Sequence, residues 1–198
     1  MYNLYSILSL GQNTSGVIII IFLFFLSGVS YYLWRRGNIY QALFCVVLLG
    51  LGLRVFCAQD PMVNRWDERY HALVSKNMIE QPLIPKLYEE HHLEFNYRNW
   101  NSNEVWLHKQ PVPLWTMALS MKVFGVSEFT LRLPSVILSS LCVLMTFWIA
   151  FLLFQSYRIG IIAAFLHSVN GLAIELASGR VATDHIDTFF LFFVELSI

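Results

Sequence analysis

The chain has 198 residues, of which 57% are hydrophobic and 13% charged, with 13 basic residues balanced by 13 acidic ones. Soluble domains carry charge on about a quarter of their residues, so this composition excludes an ordinary soluble domain and reads as a membrane protein. The charge balance leaves no global field to draw nucleic acid or another polyanion, so no nucleic-acid partner is expected.

Met1 to Gly16 carries no Lys or Arg, and the apolar stretch beyond it outruns a signal-peptide core, so the start reads as a retained anchor. Val17 to Trp34 is uncharged and of bilayer-crossing length. Arg35-Arg36-Gly37-Asn38 forms a polar hinge, and Tyr40 to Ala58 a second span in which Arg54 is expected to snorkel outward. From Gln59 to about Gln110 the chain is polar. Val112 to Phe124 is apolar but short, interrupted by Pro113 and carrying Lys122. About 20 apolar residues are needed to cross a bilayer, so this segment is expected to lie along the interface as a helix. Leu133 to Phe154 and Ile159 to Ala177 read as two further spans. Thr188 to Ile198 begins another and stops halfway, which is expected of the front part of a longer protein.

The predicted fold is therefore all-α and polytopic, in three parts. Residues 1–58 hold two N-terminal spans, 59–132 a loop with interfacial helices, and 133–198 two spans and the start of a third. Arg35, Arg36 and Arg158 mark the short cytoplasmic hinges by the positive-inside rule, which puts the long loop outside. On that topology Asp67, Lys109 and Asp184 share the outer membrane face.

Those three residues anchor the candidate chemistry. Trp66-Asp67-Glu68-Arg69-Tyr70 precedes apolar positions Tyr70, Leu73, Val74 and Met78 at helical spacing, so a helix is expected to start near Asp67. Asp67 then serves as an N-cap, with Glu68 as a first-turn acid, or as a general base whose basicity rises with partial desolvation. Lys109 lies in Leu107-His108-Lys109-Gln110-Pro111-Val112-Pro113, where prolines stiffen the strip and hold the residue before each in extended backbone. It suits a lipid-carrier phosphate, or it snorkels at the interface. In Asp184-His185-Ile186-Asp187, Asp187 is placed to cap the following apolar run and Asp184 is too far from it. His167, Asn170 and Glu175 mark a packing face or an internal polar path within the fourth span.

Cys45, Cys57 and Cys142 form no Cys-x-x-Cys pair, which argues against a thiolate zinc site. His71, His91, His92 and His108 match no compact metal motif. No metal ligands are read, and the only cofactor left open is a divalent metal.

The order of these motifs resembles glycosyltransferase family 39 and its bacterial relatives of the GT-C fold, among them the protein O-mannosyltransferases and the aminoarabinose transferase of lipid A. The resemblance runs from Trp66-Asp67-Glu68-Arg69-Tyr70 through His108-Lys109-Gln110-Pro111-Val112-Pro113-Leu114-Trp115. It continues through Phe124-Gly125, Glu128-Phe129 and Arg132-Leu133-Pro134-Ser135 to Gly179-Arg180 and Asp184. It implies a membrane glycosyltransferase that moves a sugar from a polyprenyl-phosphate-linked donor to a hydroxyl of an acceptor lipid, glycan or protein, usually with inversion. The reaction would take place outside the cytoplasm, in a cell membrane such as the bacterial inner membrane. Asp67 would be the catalytic carboxylate, with Glu68 supporting it and Asp184 completing the site. Arg69 and Lys109 would bind the carrier phosphate, and His108 and Asp187 fall in the same substrate-binding set. The family often reads Lys-Pro-Pro where this chain has Lys109-Gln110-Pro111, and it continues through further spans that carry additional phosphate ligands. The alternatives are a polytopic protein that binds or moves lipid-linked sugars without transferring them, and an inactive remnant or subunit.

Overall fold

A computed structural model describes residues 2–88, 94, 96, 98–99, 103–181 and 186–198, with side chains from residue 16 onward. The described residues form α1 (Tyr2–Arg35), α2 (Ile39–Ala58), α3 (Asp67–Asn77), α4 (Pro111–Phe124), α5 (Glu128–Phe154), α6 (Tyr157–Ser168), α7 (Gly171–Ala177) and α8 (Asp187–Leu196). Among the described residues, three helical stretches are long and apolar enough to cross a membrane: Gly16–Arg35, Ile39–Ala58 and Glu128–Phe154. The α6–α7 pair supplies a fourth if it counts as one bent span. The protein is an all-helical, multi-pass membrane protein.

The chain divides into two compact units. The first comprises residues 1–56 and 140–170. Its core packs Ala42, Leu43 and Val46 of α2 with Val143 and Phe147 of α5 and Ile161 and Ala164 of α6. Lipid tails are as apolar as these side chains, so close packing and buried hydrogen bonds hold such helices together. Gly160 shows the packing: a Cβ there would come within 2.9 Å of the Phe147 ring. Ser30 donates to the Ala42 carbonyl at 3.0 Å, joining α1 to α2. Thr146 and His167 share a hydrogen bond of 2.7 Å, which ties α5 to α6 and fits the packing reading of His167. Outward positions such as Ile18, Ile21, Phe24 and Phe25 are exposed and apolar, as a lipid-facing surface requires.

Arg54 departs from expectation. It is fully buried and does not snorkel: its Nη1 donates to the Gly50 carbonyl at 3.0 Å and the Ser168 carbonyl at 3.2 Å. Ser168 ends α6, where carbonyls lack helical donors and carry the negative end of the helix dipole. Gly50 leaves the space, since a Cβ there would lie 3.0 Å from the same nitrogen.

The second unit comprises residues 57–139 and 171–198. Val74 and Met78 of α3 pack with Leu87, Trp106 and α4 residues Leu114 and Ala118. Met117 and Met121, also on α4, pack with Leu131, Ile186 and Phe189. Pro113 does not interrupt α4. It lies in the first turn with Pro111, where a missing N–H removes no helical bond. Gln110 is extended, as a residue before proline should be, whereas Val112 is helical in spite of Pro113.

Candidate active site: an acidic helix start and a cationic groove

The helix expected near Asp67 starts there, but neither acidic residue caps. Trp66 occupies the N-cap of α3 and Ile186 that of α8, and neither start has a side-chain cap bond. Asp67 and Asp187 are each the first residue of a helix, where the dipole favours their charge.

Consecutive helical residues point about 100° apart, since a turn takes 3.6 residues, and Asp67 and Glu68 meet opposite environments. Glu68 turns inward and is 2% exposed. Arg132 of α5 grips it with two parallel bonds, Nε to Oε1 at 2.6 Å and Nη2 to Oε2 at 3.0 Å. The Asn64 backbone N–H adds a bond of 2.6 Å to Oε2. Arg132 spends its other donors on the carbonyls of Ala58 (3.1 Å), Asp60 (2.6 Å) and Met62 (2.7 Å). A fully hydrogen-bonded guanidinium of this kind is how a buried charge pair becomes tolerable.

Gly179 closes over the carboxylate. Its φ is +69°, and any Cβ would land on Glu68 Oε1. Arg180 beside it donates from Nη2 to Asp60 Oδ2 at 3.3 Å and accepts at its carbonyl from Asn64 Nδ2 at 3.3 Å. Glu68 is thus enclosed by protein, and the residues that enclose it had no assigned role in the sequence. The available signal was arginine at two mouths of apolar runs, Arg132 and Arg180, together with the glycine before Arg180.

Asp67 turns outward, partly exposed, and its Oδ2 lies 3.7 Å from Lys109 Nζ. Lys109 lines a groove of about 660 Å³, within the range of small-molecule sites. It is lined by His108 to Gln110 and the start of α4 at Val112 and Pro113, and by Ile186, Asp187 and the α8 phenylalanines Phe189, Phe190 and Phe193. A lysine, an imidazole and one carboxylate together with three phenylalanines make the lining amphipathic.

His108 and Asp187, two other expected substrate-binding residues, therefore share this groove with Lys109. The His108 ring sits 5.6 Å from the buried Trp106 ring, which meets His71 edge-on at 5.3 Å. Arg69 lies elsewhere: it donates to the Tyr70 hydroxyl at 2.7 Å, stacks over that ring and does not line the groove. Asp184, like His91 and His92, falls outside the described residues. Among the described residues no three His, Cys, Asp or Glu side chains converge to hold a metal ion.

Residues 108–198 match the family model described as dolichyl-phosphate-mannose-protein mannosyltransferase. No curated protein and no solved structure matches the chain. The matched segment contains Lys109, Arg132, Gly179 and Asp187 but not the acidic motif at Asp67. Lys109 pairs with Asp67 and Arg132 with Glu68, so the matched segment is in contact with the motif.

Proposed function

We propose that the chain carries the catalytic portion of a GT-C-type membrane glycosyltransferase. It would take a sugar from a polyprenyl-phosphate carrier and pass it to an acceptor hydroxyl on the extracytoplasmic side. The observation that carries this reading is the Asp67–Lys109 pair at the edge of an amphipathic groove. A base and a phosphate-binding cation must lie within one sugar's reach for such a transfer, and here they touch.

In this reading the carrier phosphate meets Lys109, while its chain runs along Phe189, Phe190 and Phe193. The phosphate competes for the ammonium that now neutralises Asp67, which leaves the carboxylate to accept the acceptor's hydroxyl proton. The acceptor oxygen then forms its bond to the anomeric carbon as the bond from that carbon to the phosphate oxygen breaks. The bonding pair and the developing negative charge go to the carrier phosphate, where Lys109 stabilises them. Glu68 has no contact with the reactants in this scheme. It is a positioning residue that fixes the start of α3 through Arg132.

The test is transfer from radiolabelled polyprenyl-phosphate sugars in membranes containing the protein. Asp67→Asn should lower turnover at least about 100-fold, the low end of what a positioned base contributes, while donor binding persists. Unchanged turnover would remove Asp67 from the mechanism. Donor binding without turnover in the unmodified protein would favour a carrier-binding role instead.

A further inference from the structure

We propose that the turn Pro82-Leu83-Ile84-Pro85, together with the outward face of α4, inserts into the lipid headgroup–acyl boundary and fixes the depth of the second unit in the bilayer. α4 is apolar on both sides. Leu114, Met117, Ala118 and Met121 face the protein core, yet Val112, Trp115, Leu119 and Val123, at helical spacing on the opposite side, are exposed. Lys122 in the last turn is the charged exception on the exposed side, and its stem is long enough to snorkel to the headgroups; the rest of that stripe needs apolar cover. The 14 residues of α4 are too few to cross a bilayer, so the cover it fits is the interface. Only Gly125, Val126 and Ser127 separate it from α5, which begins one of the membrane-length helices, so α4 lies beside the bilayer by connectivity.

The turn is attached to that face. The Trp115 indole N–H donates to the Pro82 carbonyl at 2.7 Å, the arrangement of an interfacial tryptophan with its polar edge satisfied and its ring left in lipid. Leu83 at the tip is 85% exposed. The base beneath it is rigid: Trp106 N–H reaches the Pro85 carbonyl at 2.7 Å, Leu87 N–H the Glu104 carbonyl at 2.7 Å, and Lys86 pairs with Glu104 at 2.9 Å. A single exposed leucine is ordinary on a soluble surface. A leucine and isoleucine between two prolines, bonded to a helix with an uncovered apolar stripe, form one continuous surface for lipid. The inference is independent of sugar transfer.

The probe is a nitrobenzoxadiazole label at Leu83→Cys, with Cys45, Cys57 and Cys142 replaced by alanine and the protein reconstituted in phosphatidylcholine vesicles. A label at Lys76→Cys, exposed on α3, is the aqueous control. The Leu83 label should be quenched by lipids spin-labelled high on the acyl chain and resist aqueous iodide several-fold better than the control. If Leu83→Cys does not reconstitute, Ile84→Cys reads the same depth. A label as open to iodide as the control, and indifferent to spin-labelled lipid, overturns the proposal. Shielding that vanishes when protein is diluted at fixed lipid content also overturns it, assigning the surface to a second copy.

Discussion

Asp67 and Glu68 carry the same charge and are joined by one peptide bond, yet the regions around them are built on opposite terms. Around Glu68 every polar group has a partner: a bidentate arginine, a backbone N–H and a glycine lid. Around Asp67, among the described residues, there is an ion pair of 3.7 Å to Lys109, partly exposed, at the edge of a groove. A carboxylate fully occupied by protein cannot take a proton from a substrate. One held loosely by a single lysine can, and the lysine is drawn off by any anion that competes for it. The closed region holds the fold together, and the looser region is where the proposed chemistry would take place, within two consecutive residues.

The largest way to break this contrast is to remove the closed region's cation. Arg132→Met leaves Glu68 buried and unpaired, which should cost about 3–5 kcal/mol, read as an early thermal unfolding transition in detergent. The double variant Glu68→Leu with Arg132→Met should lose less than the two single losses together, because no charge is left stranded. Full additivity would mean the two side chains do not act as a pair. Asp67→Asn sits at the other pole: the turnover loss proposed above should come with a stability change of only about 1 kcal/mol, the worth of a long, partly exposed ion pair. A large drop in its unfolding temperature would show that Asp67 belongs to the closed region after all.

Gly179→Ala probes the lid. Left-handed backbone in a residue with a Cβ costs about 1–3 kcal/mol, and displacement of Glu68 comes on top, so unfolding should come earlier than in the parent. The smallest expected effect on stability is that of Lys109→Gln. Its stability should move by less than about 1 kcal/mol, while the donor's KM rises and kcat falls with the fold intact, because the lysine is proposed to hold the phosphate both before and during transfer.

Much of the membrane architecture was legible in the sequence because a span is a local property: run length and absence of charge suffice. The hinge at Arg35, the second span and the helix start at Asp67 all follow from neighbours in the chain. Local reasoning misplaced Pro113, because a proline interrupts a helix or begins it according to where the first turn falls. It also misplaced Arg54, because snorkelling assumes water is the nearest polar partner, and here a carbonyl at the end of α6 is nearer.

Sequence alone determined that this chain is helical, membrane-embedded and provided with an acidic motif, a lysine strip and an arginine before its third span. Tertiary structure decided which of these meet. Glu68 and Arg132 are 64 residues apart, and nothing in either segment states that the arginine's fork will close on the second carboxylate of the motif rather than the first. That choice depends on which face of α3 turns toward α5, and helix rotation is set by packing on both sides at once. The same rotation leaves Asp67 facing Lys109, so one packing decision separates the carboxylate that holds the fold from the one at the groove's edge, proposed above as the base.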